Sequence, residues 1–254
     1  MPPIGLICAL QEELEAFGSA LIQERNKKFS DNVIFCEGKL DGHEIVWIKP
    51  GVTIGKVSAA AITALLKSEY DISTLIFSGV AGSMDPELDP GDIVIADEVI
   101  IYDYGHYHSG AIKPYRSGVN FIAQSQEGVP LAFAVSDKVR HVTQQVIREF
   151  TGDIFQGRKI KLVSGTILTG DVFLNDGMKR KELHDAFNAK AIEMEGGAIL
   201  QAAELCGIEH VYIIRALSDL AGDDSHLDFV SLLHHAAKAA SKITRTILKL
   251  DRAS

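Results

Sequence analysis

The sequence predicts an α/β fold, one domain over residues 1–254, with helices on both faces of a central mixed sheet. Three observations predict it. Short apolar runs of strand length alternate with longer segments of helical spacing. Several of those runs end in glycine-bearing loops or in carboxylates, as at Gly79-Val80-Ala81-Gly82 and Ser218-Asp219. The Asp41-Gly42 turn signal and a strand opened by Gly91-Asp92 argue against a purely parallel sheet. No repeat, low-complexity tract or linker divides the chain.

The first apolar run, Ile4 to Ala9, reads as a buried strand. Gln11 to Glu24 follows with helical spacing, Leu14, Phe17, Leu21 and Ile22 sharing a face. Val33 to Leu40 and Glu44 to Ile48 flank the Asp41-Gly42 turn as a hairpin. Gly55 to Leu66 is alanine-rich and helical, and Thr74 to Gly79 is a strand. Ile93 to Ala96 is another, continued in extended form by Val99 to Tyr102. Asp103 to Pro130 is the least regular stretch. Ser136 to Phe150 reads as a helix, Lys159 to Leu168 and Ala189 to Glu193 as strands. Gly197 to Leu205 is a helix stopped near Gly207. Val211 to Leu217 is a strand, and Phe229 to Leu250 a long amphipathic helix.

The composition narrows the function. Of 254 residues, 46% are hydrophobic and 23% charged, which suits a chain that buries a sizeable core. A formal net charge of -9 disfavours nucleic acid or an anionic membrane as partner, because phosphate binding needs a basic face. No apolar run reaches the length of a membrane span, and the N-terminus lacks the form of a signal peptide. The expected location is cytoplasmic. Cys8, Cys36 and Cys206 are odd in number and far apart, with no zinc spacing, so neither a disulfide framework nor a metal site is expected. Cys8 and Cys206 read as buried thiols. His106 and His108 alternate in a loop, but no third ligand accompanies them. No P-loop or dinucleotide motif implies a cofactor.

Chemistry concentrates in two segments, AIEMEGGAIL (Ala191–Leu200) and RALSDLAGDDSHLDF (Arg215–Phe229). Glu195 stands where a strand turns into a helix, a position that could accept hydrogen bonds from two vicinal hydroxyls; it could equally complement the helix dipole. Glu193, placed on the other side of the extended segment, is assigned a structural role. Asp219 ends an apolar strand, where partial desolvation would raise its pKa and suit it to give up a proton near neutrality; it could instead cap the following loop. Arg215 lies inside the same strand and must be paired, with Glu195 and Glu13 as the expected partners. Glu13 falls in the first helical turn after the first strand, one of three acidic or amide side chains there that could also form a solvated helix start. Phe173 and Leu174 sit on a polar loop, as a surface for a base or as an anchor into the core.

Taken in order, IGLICALQEEL, TIGKVSAAAIT, FSGVAGS, PGDIVIADE, LTGDVFLND, AIEMEGGAIL and RALSDLAGDDSHLDF resemble the nucleoside phosphorylase-like superfamily, and within it the 5′-methylthioadenosine/S-adenosylhomocysteine nucleosidases. The resemblance implies a three-layer α/β/α fold around a mixed, twisted sheet, and a homodimer. It implies hydrolysis of the N-glycosidic bond of an adenine nucleoside with water as nucleophile and no cofactor. Position by position, Asp219 would protonate adenine N7, and Glu13 would activate water with help from Arg215 and Glu195. Glu195 and Met194 would hold the ribose, Phe173 would stack on the base, and the Leu174 backbone would read its edge. Ser218 and Val80 would line the pocket; Ile54 and Phe229 would line the ribose and 5′ end. Val80 stands where the family often has serine, and Ser83 where its turn has glycine. Purine nucleoside phosphorylases and futalosine-type hydrolases on the same fold are the alternatives, and a non-catalytic nucleoside sensor is a third class.

Overall fold

The computed structural model describes residues 2–51, 53–120, 122, 127–223 and 225–251. In chain order the elements are β1 (Ile4–Ile7), α1 (Gln11–Glu15), β2 (Leu21–Lys28), β3 (Ile34–Leu40), β4 (His43–Ile48), α2 (Lys56–Tyr70), β5 (Thr74–Ser83) and β6 (Ile93–Ile101). Then come β7 (Gly105–His108), β8 (Ala111–Pro114), β9 (Phe133–Ala134), α3 (Asp137–Glu149), β10 (Ile154–Phe155), β11 (Arg158–Lys159) and β12 (Leu162–Thr169). The chain ends with α4 (Gly177–Phe187), β13 (Ala191–Glu193), α5 (Gly196–Cys206), β14 (His210–Asp219) and α6 (Ser225–Asp251).

Ten strands form one mixed sheet in the order β13-β12-β6-β14-β5-β1-β4-β3-β2, with β9 alongside β6. β1 runs parallel to β4 and β5, β14 parallel to β5, and β12 parallel to β6 and β13. β14 and β6 are antiparallel. β13 also meets β5 antiparallel, so five strands curl back on themselves. Helices α2 and α5 pack together, with α5 against β6 and β12; α6 packs on β14 and β5, with α1 and α3 against it. This is the mixed α/β architecture that the alternating pattern predicts. Segments at or after the C-terminal ends of β1, β4, β5, β12, β13 and β14 line a single cavity, and ligands of such sheets bind near strand ends.

Local signals account for most boundaries. Asp41 and Gly42 both have positive φ (49° and 84°), the turn that matches the twist of a two-residue hairpin. Ser136 caps α3 by accepting the Val139 N–H at 3.4 Å. Gly207, in the left-handed region, ends α5.

The predicted helix over 11–24 is corrected. It stops at Glu15, a 3-10 turn follows at Gly18–Ala20, and residues 21–28 form the edge strand β2. Tertiary pairing overrides the helical spacing: β2 hydrogen-bonds to β3, and Arg25 and Lys27 reach Glu37 and Glu69. The strand predicted over 159–168 divides between β11 and β12. The irregular 103–130 stretch contains the β7–β8 hairpin, while residues 121 and 123–126 lie outside the described residues. Helix α4 falls in a segment with no predicted element; Asp176 caps its start and Asn188, at φ 49°, ends it. Cys8 is buried as expected, but Cys206 is only partly so, in the last turn of α5; Cys36 is buried on β3. No helix among the described residues is long and apolar enough to cross a membrane.

Candidate active site

A cavity of about 210 Å³ opens at the strand ends. Its walls include Glu13, Ile54, Val80, Phe173, Leu174, Met194, Glu195, Arg215, Ser218, Asp219 and Phe229, the residues to which the sequence reading gives catalytic or substrate-binding roles.

Glu13 is buried, at 3% exposure, because α1 starts by folding its own carboxylate back over the end of β1. Oε2 accepts the Ala9 N–H at 2.7 Å and the Leu10 N–H at 3.0 Å. Oε1 accepts the Val80 N–H at 3.0 Å, from the end of β5. Burial nonetheless pushes its pKa up; Arg215 and the three backbone donors counter that only in part. The space it occupies exists because residue 79 is glycine: a Cβ there would collide with Glu13 Oε1 and Arg215 Nη1.

Arg215 is 1% exposed in the interior of β14. Its guanidinium lies 3.4 Å from the centroid of the Phe77 ring. Its partners correct the expectation. The close contact is Nη2 to Glu193 Oε2 at 2.7 Å, with Glu195 Oε2 further off at 3.7 Å. Glu193 and Glu195 both face Arg215, contrary to the expectation of opposite sides. β13 ends at Glu193, and Glu195 has left the extended backbone (φ −133°, ψ −38°). Glu193 also accepts the backbone N–H groups of Glu195 and Gly196, at 3.0 and 2.7 Å, and the Thr169 hydroxyl. It therefore starts α5 and neutralises Arg215 together. Its position as the last strand residue of a Glu-x-Glu pair was the available signal.

Glu195, the N-cap residue of α5, does not cap its own helix. Its Oε1 accepts the Gly55 N–H at 2.8 Å, from the start of α2. Its pKa is pushed up to about 7, first by burial and then by the charge of Glu193, against the opposing pull of Arg215.

Asp219 is 2% exposed at the end of β14. The pairing of β14 with β5 slips there: Leu217 pairs with Ala81 and Asp219 with Gly82, leaving Ser218 as the extra residue of a bulge. The Ser218 hydroxyl donates to Asp219 Oδ2 at 2.9 Å, and the Ala221 N–H donates to Oδ1 at 2.8 Å. The bulge thus fixes the direction of the carboxylate. Across the cavity, the Phe173 and Phe229 rings meet edge to face, 5.9 Å apart, and Phe173 remains 45% exposed.

Three carboxylates from separate parts of the chain therefore share one cavity, and burial raises the pKa of two of them, Glu13 and Glu195. Among the described residues lining the cavity, Arg215 is the one cation. His106 and His108, on β7, are not part of the wall; their rings lie 5.8 Å apart. Among the described residues, no group of three or more His, Cys, Asp or Glu side chains could hold a metal ion.

The sequence profile of the Phosphorylase superfamily matches residues 3–249. The chain belongs to this superfamily. It is 36% identical over 251 residues to the 5′-methylthioadenosine/S-adenosylhomocysteine nucleosidase of Mycobacterium bovis, covering 96% of each chain. With the enzyme of that description from Bacillus subtilis it shares 31% over 254 residues, covering 97% of this chain and 98% of the other. It therefore falls in the nucleosidase family. The crystal structure of the nucleosidase from Neisseria meningitidis, in complex with methylthio-immucillin-A, superposes with a TM-score of 0.81 at 27% identity, over 98% of this chain and all of that one. Within the superfamily fold, Val80 contributes its main-chain N–H to Glu13, a contact that needs no side-chain hydroxyl.

Proposed function

We propose that this chain hydrolyses the N-glycosidic bond of adenine nucleosides of the 5′-methylthioadenosine and S-adenosylhomocysteine type, releasing adenine. The observation that carries the reading is the meeting of Glu13, Glu195 and Asp219 around one cavity whose one described cation is already held by Glu193. A phosphorylase needs free cationic forks for a phosphate dianion. Here the cavity wall carries acidic Glu13, which would repel the dianion.

The adenine anion is a poor leaving group, so Asp219 gives its proton to N7 as the C1′–N9 bond breaks. The Ser218 hydroxyl and the Ala221 N–H aim that carboxyl. Positive charge develops on the sugar, as in other glycoside hydrolyses. Glu195 accepts hydrogen bonds from the ribose hydroxyls, contacts that strengthen as the sugar becomes cationic. Glu13 orients a water molecule and takes its proton while the water oxygen bonds to C1′. Arg215 keeps the carboxylates close without mutual expulsion. Phe173 stacks on the base, the Leu174 backbone reads its edge, Met194 lies under the ribose, and Ile54 and Phe229 accept an apolar 5′ tail.

Incubation with 5′-methylthioadenosine in phosphate-free buffer is expected to release free adenine. Phosphate-dependent formation of a ribose 1-phosphate would replace this reading by phosphorolysis, and a preference for futalosine in a panel of 5′-modified nucleosides would reassign the substrate. Tight nucleoside binding without turnover would indicate a sensor. The reading also includes one domain over residues 1–254 and a cytoplasmic location, both expected from the sequence pattern, and a homodimer, implied by the family resemblance; sedimentation of the purified protein tests the dimer.

A further inference from the structure

We propose that Lys56 is a positioning residue: its ammonium bridges Asp103 and Asp171 and so latches the loop carrying Phe173 to the helix end that holds Glu195. The inference rests on the nucleosidase reading for its kinetic test.

Two successive backbone N–H groups at the start of α2 point to two carboxylates of different function. The Gly55 N–H goes to Glu195 Oε1 at 2.8 Å. The next, Lys56 N–H, goes to Asp171 Oδ1 at 2.9 Å. The Lys56 ammonium then reaches Asp103 Oδ1 and lies 3.5 Å from Asp171 Oδ2. The Asp171 N–H closes the ring by donating to Asp103 Oδ2 at 2.8 Å. Lys56 and Asp103 are largely shielded, with side chains 20% and 15% exposed, so the pair is less screened by solvent than an exposed one.

Three segments meet in this ring: the start of α2, the loop after β6 and, last, the loop after β12. The last is otherwise held further along, where Asn175 Oδ1 accepts the Ser225 N–H at 3.1 Å and Phe173 meets Phe229. Val172 and Phe173 are exposed, and Asp171 is two residues from the ring that would cover the base. Without the ammonium, Asp103 and Asp171 would face each other as neighbouring anions. The loop would draw away from the start of α2, and the Gly55 N–H would lose its fixed line to Glu195. One change would thereby loosen both the base platform and the ribose clasp.

The test compares wild type, Lys56→Met, Lys56→Arg and Asp103→Asn. In Lys56→Met, KM for 5′-methylthioadenosine is expected to rise about tenfold, the loss of one charge-assisted contact, with a smaller fall in kcat. Lys56→Arg should recover most of the loss, because it restores the cation. The acidic limb of kcat/KM should also move to higher pH in Lys56→Met. Glu195 faces Glu193 from β13, Arg215 from β14, Glu13 from α1 and the Gly55 N–H, and weakening the last raises its proton affinity. A lower melting temperature with unchanged KM and pH profile would overturn the proposal. If Lys56→Met does not fold, Asp103→Asn decides: a raised KM supports the latch and an unchanged one refutes it. If wild type shows no turnover, the nucleosidase reading fails by itself. Calorimetric affinity for adenine then judges the latch, weakened in the variants if it holds and equal to wild type if it does not.

Discussion

Replacing Glu193 by glutamine tests the electrostatic design of the cavity. The carboxylate is 2% exposed and sits 2.7 Å from an arginine that is 1% exposed. It also accepts two backbone N–H groups and the Thr169 hydroxyl. Removing one partner of a buried ion pair costs about 3–5 kcal/mol. Arg215 retains Glu195 at 3.7 Å, which argues for the lower end. The amide adds a mismatch, since its NH2 must face a donor where an acceptor stood, worth roughly 1–3 kcal/mol. For a chain of this length, a loss of about 4 kcal/mol lowers the melting temperature by roughly 10 °C. The catalytic effect has a definite sign. Glu193 is the second largest cause of the elevated pKa of Glu195, after burial. Neutralising it, and leaving Arg215 to face Glu195, must lower that pKa. The acidic limb of kcat/KM, expected near pH 7 in wild type, should move to lower pH in Glu193→Gln even as stability falls. Calorimetric melting and a pH–rate profile of the same protein check both parts. A limb that stays in place or moves upward would refute the coupling between the two glutamates.

Asp219→Asn and Glu13→Gln should each lower kcat by about 10²–10⁴-fold while adenine affinity changes little, because each removes a proton-transfer group and leaves the walls intact; single-turnover rates beside binding isotherms check this. Gly79→Ala should push Glu13 and Arg215 off their positions, with a sharp loss of kcat and a destabilisation of about 1–3 kcal/mol read from denaturant melts. Glu195 also makes stability depend on pH. Its folded-state pKa is raised from 4.5 to about 7, so the folded protein holds the proton more tightly than the unfolded chain. That contribution is fully present below pH 4.5 and is lost as pH rises through about 7. Glu195→Gln should flatten the decline across that window in urea titrations. Asp41 and Asp85, whose pKa values are lowered, act in the opposite sense below their ordinary value of 3.8.

Much of this was legible in the sequence because the signals were local. The Asp41-Gly42 turn, the stop at Gly207 and the alternation of strands and helices depend on neighbours in the chain. Glu195 and Asp219 were visible because each ends an apolar run. Residues 21–28 were not, since their strand exists only through pairing with β3, and the helical spacing of Leu21 and Ile22 was accidental. The partner of Arg215 was missed for a related reason. Whether Glu193 or Glu195 comes closest depends on where β13 stops and how the backbone turns at residue 195, which no pattern of apolar residues records. The tie between Gly55 and Glu195 joins groups 140 positions apart.

The slip at Ser218 makes the bearing of the acid a matter of residue count. Exchanging side chains around it can change how readily the proton leaves. Deleting position 218 would remove both the hydroxyl that aims Asp219 Oδ2 and the extra residue that bends the strand end there. This strand end should therefore accept many substitutions yet reject any change of length. Altered substrate preference is more accessible through the chain that borders the cavity mouth.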